Sequence, residues 1–212
     1  MEFKYFYSIR QAWHIHLANR KNKITTATSF LFLVITLSIY PRFLNYIELR
    51  NGFVLNDYLL ALFKPVNLSW LIFISLYSSC IIGIIKLIER PRIFTLAVQS
   101  YVLLVLFRMV AMFFVPLNPP VDSIVLIDPF VEFFGTGQSL TKDLFFSGHT
   151  ATVFIFYLWA EKGWTKVFFL VSTICVATAV ILQHVHYIID VLAAPIITYI
   201  AFIVVRNKND QT

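Results

Sequence analysis

Charge is scarce in this chain: of 212 residues, 13% are Asp, Glu, Lys or Arg, against roughly 25% in an ordinary soluble domain. With a mean hydropathy of +0.78, that scarcity excludes a fold solvated by water on all sides. Cysteine is nearly missing. Cys80 and Cys175 both lie inside apolar runs, which excludes a disulfide framework or a cysteine-rich zinc cluster. A basic patch is missing as well. The net charge is +6, but the basic residues sit between apolar runs, so nucleic acid is excluded as a partner. A cleavable leader is not expected. The first long apolar run begins at Ile24, is too long for a signal-peptide core, and is followed by no small-residue cleavage site. No internal repeat or low-complexity linker divides the chain, so one membrane domain is expected.

What is present is a series of long uncharged runs. A helix needs about 20 mostly apolar residues to cross the hydrocarbon layer. The runs are Ile24–Tyr40, Pro65–Ile85, Ile93–Phe107 continuing past Arg108 to Val121, Leu144–Ala160, Val167–Val185 and Tyr187–Val205. They predict an all-α polytopic membrane protein, a six-transmembrane-helix bundle. The last two spans are separated by a tight turn near His184–His186. Residues 1–23 are basic and aromatic and read as an interfacial segment, with His14 and His16 at headgroup level. Residues 24–206 form the expected membrane domain and 207–212 a polar tail.

Lys and Arg concentrate on the cytoplasmic side of membrane proteins. With the N-terminus inside, that side holds Lys4, Arg10, Arg20, Lys21, Lys23, Lys86, Arg90, Arg92, Lys162, Lys166, Arg206 and Lys208. The other side holds Arg42, Arg50, Lys64 and Lys142. The bias predicts both termini in the cytoplasm.

Ionisable groups within spans are costly and are functional candidates by default. Arg108 falls in the outer part of the third span, and His149 near the outer start of the fourth. His186 and Asp190 open the sixth, which also begins outside. Four separately placed polar residues therefore reach one leaflet. His186 and Asp190 are spaced i, i+4 and share a helix face. A carboxylate against one imidazole nitrogen fixes the tautomer and makes the other nitrogen the better base or nucleophile. Ser147-Gly148 ahead of an apolar run reads as a helix start with Ser147 as N-cap. Its N–H groups and dipole would suit an anion, and Lys142 adds positive charge nearby.

At these residues the chain resembles the type 2 phosphatidic acid phosphatase (PAP2) superfamily, and within it the sphingomyelin-synthase-like branch. Asp143-Leu-Phe-Phe-Ser-Gly-His-Thr150 is similar to that branch's Gly-Asp-x-x-Phe-Ser-Gly-His-Thr motif, with Lys142 in place of the glycine. His186-Tyr187-Ile188-Ile189-Asp190-Val191 is similar to its His-Tyr-Thr-x-Asp-Val motif, with Ile188 replacing threonine. Arg108, followed by Pro116-Leu117, falls where the branch has an arginine-led motif. The superfamily's phosphatases instead carry Lys-x6-Arg-Pro, Pro-Ser-Gly-His and Ser-Arg-x5-His-x3-Asp. Here Phe146 replaces the proline and Ala179-Val180 the Ser-Arg pair, while Lys86-x3-Arg90-Pro91 has the wrong spacing and falls on the cytoplasmic side.

The resemblance implies His149, His186 and Asp190 as catalytic residues. It places Arg108, Lys142, Asp143, Ser147, Gly148 and Tyr187 about the phosphate or substrate, while His184, outside the motifs, reads first as a polar residue at the membrane boundary and second as a phosphate ligand. His186, polarised by Asp190, would attack phosphorus, and His149 would protonate the leaving alcohol. A phosphohistidine would pass to an acceptor, without metal or other cofactor. The implied substrate is a membrane phospholipid, with ceramide or diacylglycerol as possible acceptors, at a site on the non-cytoplasmic side. Asp122, Asp128 and Glu132 are candidate outer-loop acids. A lipid phosphate phosphatase that releases inorganic phosphate is the alternative. A transporter using the polar residues as a path, and a metal site at His184, His186 and Asp190, are more distant ones.

Overall fold

A computed structural model describes residues 2–127 and 140–210. Asp128 and Glu132 lie outside the described residues, as do the side chains of residues 1–6 and 209–212. The described residues form seven α-helices: α1 (Glu2–Ala18), α2 (Arg20–Leu49), α3 (Ser69–Ile88), α4 (Pro91–Phe114), α5 (Gly148–Trp159), α6 (Trp164–Leu182) and α7 (Ile188–Asp210). Their backbone contacts include one isolated bridge, between Phe53 and Leu117.

Five of these helices, α2, α3, α4, α6 and α7, are long and apolar enough to cross a membrane. The fourth run departs from expectation. It is not helical from Leu144; α5 starts at Gly148 and has 12 residues, about 18 Å of rise. Residues 140–147 approach it as irregular chain. The third run also ends early, because Pro116 and the residue before it cannot continue a helix; α4 stops at Phe114. The first run is longer than expected. Asn19 separates α1 from α2 and caps α2, its Oδ1 accepting from Lys21 N at 2.9 Å.

The short helix α5 occupies the centre and packs against α3, α4, α6 and α7, while α2 lies outside on α4. Apolar side chains that face no neighbour, such as Leu31 on α2, Ile74 on α3, Ile174 on α6 and Ile196 on α7, are exposed, as lipid-facing positions of a bundle should be. Inside, Trp159 stacks edge-on against Phe202 at 4.7 Å and its Nε1 donates to Ser100 Oγ at 3.3 Å.

The bundle's two ends differ in construction. At one, α3 and α4 are joined by Glu89-Arg90 alone, Arg90 pairs with Glu161 at 2.7 Å, and α1 docks through Trp13 Nε1 donating to Ile88 O at 2.9 Å. At the other, long loops fold over the helix ends. Asp57 accepts from Leu59 N and Leu60 N, and through its second oxygen from Ile188 N at 3.0 Å, so it caps α7. Gly52 passes Leu117 so closely that a Cβ would come within 2.6 Å of its carbonyl carbon. Gln183, fully buried, holds Leu68 N at 2.8 Å and Ile124 O at 3.2 Å.

Candidate active site

The loop-covered end encloses a cavity of about 280 Å³, whose lining includes Arg108, Asp143, Gly148, His149 and His186. Several segments far apart in sequence line it, and one backbone bond locks the two that carry the histidines: Ser147 N donates to Asp190 O at 3.1 Å.

His186 precedes α7 and Asp190 lies in its first turn. His186 Nδ1 and Asp190 Oδ2 are 3.4 Å apart, a long hydrogen bond. The same carboxylate oxygen accepts from Tyr187 N at 3.1 Å, so Asp190 both orients the imidazole and caps the helix. Both side chains are almost fully buried. Asp190 Oδ1 has no hydrogen-bond partner among the described residues. The His149 ring stands 6.3 Å from that of His186, at an interplanar angle of 63°. A single atom bonded to oxygens could sit between them.

Ser147 is the N-cap of α5. Its Oγ accepts from Thr150 N at 3.5 Å and shares a hydrogen with Thr150 Oγ1 at 3.1 Å. The first turn of α5 therefore presents backbone N–H groups at the cavity, the usual cradle for an anion. Gly148 has a specific task. A Cβ there would collide with Arg108 Nη1, so only glycine lets the guanidinium lie against the helix start.

Arg108 is 4% exposed. Nη2 donates to Asp143 Oδ1 in an ion pair, Nε donates to Tyr40 OH at 3.1 Å, and the guanidinium stands 5.9 Å from the Phe146 ring centre. Tyr40 OH donates in turn to Asp143 Oδ1 at 3.3 Å. Nη1, buried, has no hydrogen-bond partner among the described residues. The arginine is thus fixed on one side and open on the other.

Three expected site residues lie elsewhere. Lys142 does not line the cavity; its Nζ donates to Arg50 O at 2.6 Å, and its backbone N to Glu48 Oε2 at 3.0 Å. His184 terminates α6. It adopts φ 56°, with His184 N donating to Ile181 O at 2.9 Å and Val185 N to Val180 O at 3.0 Å, the left-handed ending in which a second bond spans the last turn. Its ring packs edge-on against Phe63 at 5.1 Å. Tyr187 is buried beneath the loops, donating to Asn118 O at 2.9 Å and accepting from Leu55 N at 3.1 Å. His184 also leaves the metal alternative without its ligand set, and among the described residues no three His, Cys, Asp or Glu side chains gather as ligands. Ala179 and Val180 pack in the apolar core beneath the site.

Several participants carried no local motif. Tyr40 ends an apolar run, Tyr101 sits within one, and Gln183 and Asp57 are single polar residues at a helix end and in a loop. Tyr40 and Tyr101 line the cavity. Only the position of Tyr40 opposite Arg108, unreadable without the fold, marks it as a partner.

The comparisons fall on the same region. A family model described as PAP2 superfamily C-terminal matches residues 142–208, the stretch that carries both histidine segments. The match supports kinship with the PAP2 superfamily and a lipid phosphatase or phosphotransferase type of activity. No curated protein matches the chain.

Proposed function

We propose that the protein is a membrane-embedded lipid phosphotransferase or phosphodiesterase that uses His186 as nucleophile and His149 as general acid. The observation that carries this reading is the charge of the cavity. Among the described residues Arg108 is the one Lys or Arg that lines it, and Asp143 already pairs with that guanidinium. Lys142, which could have balanced a second negative charge, is bound to Arg50 O instead. A monoester dianion would meet too little positive charge here, whereas a phosphodiester monoanion is matched by Arg108 Nη1 and the start of α5.

The chemistry then runs in two balanced steps. Asp190 holds the proton on His186 Nδ1, which leaves the Nε2 lone pair to attack phosphorus. The bond from phosphorus to the leaving oxygen breaks, and His149 gives that oxygen a proton. A phosphohistidine results. An acceptor hydroxyl, from water or from a lipid alcohol such as ceramide or diacylglycerol, loses its proton to His149 and attacks phosphorus as the P–N bond breaks. Catalysis rests on positioning and on neutralising phosphoryl-oxygen charge, and no step draws on a metal.

The membrane arrangement belongs to the same proposal. The 1–23 segment lies on the cytoplasmic surface, residues 24–206 cross six times and the tail from 207 is cytoplasmic. Helix α5, too short alone, completes the fourth crossing with residues 143–147. Irregular backbone is tolerated at membrane depth when protein surrounds it, and Leu144, Phe146 and Ser147 are buried. The site then opens on the non-cytoplasmic side, because the opposite end carries most of the Lys and Arg.

The test supplies purified protein with a headgroup-labelled phosphodiester lipid and, in parallel, phosphatidic acid. Label is expected to move from the diester to water, ceramide or diacylglycerol in the presence of EDTA. His186→Ala and His149→Ala should each cut that transfer by orders of magnitude, since the two groups act as a unit. Rapid phosphate release from phosphatidic acid with no movement of the diester label would show a lipid phosphatase instead.

A further inference from the structure

The cavity does not end at the histidines. On α4, Tyr101, Leu104, Val105 and Arg108 line it at i, i+3, i+4 and i+7, one face of a helix. Tyr101 therefore lies two turns, ~10 Å of rise, further into the bundle than Arg108. On α5 the lining passes from His149 to Thr152. The Tyr101 and Thr152 side chains both line the cavity there and lie close enough to interact. The wall between this pair and the reacting end is largely apolar, with Leu104, Val105 and Ala151 on the helices. A polar pair thus sits at the inner end of an apolar passage whose outer end is the phosphorus site.

Two hydroxyls hold two O–H donors. A bond between them would use one and leave the other for a further acceptor. A hydroxyl without an acceptor in such surroundings is costly, and the cavity is the space into which an acceptor can come. At about 280 Å³, the cavity lies at the small end for ligand sites, which run from roughly 300 Å³ upward. It holds a headgroup and a lipid backbone but not two acyl chains, which must remain in the bilayer. In such a lipid, the acceptor that follows phosphorus and the glycerol or sphingoid unit is the first acyl carbonyl. Its separation from phosphorus is of the same order as that between the two polar ends of the cavity.

We propose that Tyr101 and Thr152 form a second polar subsite that binds the first acyl carbonyl of the membrane lipid whose phosphorus lies at His149 and His186. The subsite sets the depth of the lipid and so brings its phosphorus to the histidines. It also selects lipids with an ester or amide carbonyl over those with an ether link. The assignment rests on the lipid phosphoryl-transfer reading for what occupies the outer end.

The test uses binding, so that it stands apart from turnover. Purified full-length protein is incubated with diacyl phosphatidylcholine or with its dialkyl ether analogue of equal chain length, and retained lipid is measured by native mass spectrometry. Wild type should prefer the ester lipid by about tenfold, the worth of one hydrogen bond to a buried hydroxyl. Tyr101→Phe and Thr152→Val remove one oxygen each at near-constant shape. The double variant should bind both lipids alike, with its ether-lipid affinity close to that of wild type. An ester preference that survives in the double variant, or one absent from wild type, overturns the subsite, as does failure of wild type to retain either lipid. Should the ester preference collapse as expected while no phosphoryl transfer is found, the catalytic reading fails and the subsite stands.

Discussion

Two arginines of this protein each pair with a carboxylate, in opposite surroundings. Arg90 meets Glu161 at the crowded turn end, where the glutamate side chain is 71% exposed. Arg108, 4% exposed, meets Asp143, 28% exposed, beneath the loops, with Tyr40 and Phe146 closing around the guanidinium. The first pair joins two helix ends and has water on one side, so solvent does most of its neutralising. In the second the guanidinium has given up nearly all its water and relies on its partners to replace it. A buried cation with one open donor edge can hold an anion strongly, whereas the same cation at the surface cannot. The difference lies in what surrounds the pair, since the residue types are nearly the same.

The comparison is broken most severely at Arg108. Arg108→Ala should lower turnover by about 10²- to 10³-fold, the usual loss when a donor to developing phosphoryl charge is removed. It should also destabilise the protein by up to about 3 kcal/mol, because Asp143 is left without its cation. Turnover and thermal melting in detergent measure both, and an unchanged turnover would remove Arg108 from the site.

Gly148→Ala sharpens the point without touching a charge. The added methyl meets Arg108 Nη1, so the guanidinium must move. Turnover should fall by roughly 10²-fold, as it does for displacements of about 1 Å in an active site. The melting temperature should drop less than in Arg108→Ala. Full activity in the alanine variant would show that the position of Arg108 is not critical.

Arg90→Ala is the surface counterpart. The expected destabilisation is below about 1 kcal/mol, with turnover unaltered, and a double-mutant cycle with Glu161→Ala measures the pair itself. A coupling comparable to that of Arg108 with Asp143 would erase the distinction between the two ends.

The smallest effect belongs to α1. His16 Nε2 bonds Thr26 Oγ1 at 3.2 Å, and burial, with the nearby Arg92 charge, holds the imidazole below its ordinary value of 6.5. A depressed value means that docking favours the neutral ring. That contribution is complete above pH 6.5 and is lost as pH falls through the lower value of the docked state. Amide exchange in α1 should therefore rise modestly as the medium is acidified, while α5 and α7 stay protected. Exchange in α1 that does not change with pH would detach His16 from docking.

Much of the bundle was legible because lipid imposes a simple demand. Five long apolar runs are helices in the structure, since a backbone in hydrocarbon must bond to itself. The Ser147 cap was legible too, because a cap is a local matter of one side chain and the next few N–H groups. The 12-residue length of α5 was not. Leu144 and Phe146 read as part of a spanning apolar run, yet they are buried by protein in irregular chain, and hydropathy does not distinguish lipid from protein surroundings. Lys142 and His184 fall away from the cavity for a related reason. Each lies near the histidine motifs in sequence, but Lys142 turns to Arg50 O and His184 ends α6 in a left-handed conformation.

The amino-acid sequence by itself determined that the chain carries long apolar helices fit for a membrane, and it singled out His149, His186 and Asp190 as candidates for a shared chemistry. Those properties follow from hydrophobicity, helical spacing and side-chain type, all of which act over a few residues. Only the tertiary structure decided that Arg108 meets Asp143 and Tyr40, that Gly148 makes room for it, and that Tyr101 and Thr152 come together on the wall of the cavity. These contacts join residues that are 35 or more apart in the chain. No local signal reports them, because they arise only when separate helices have packed.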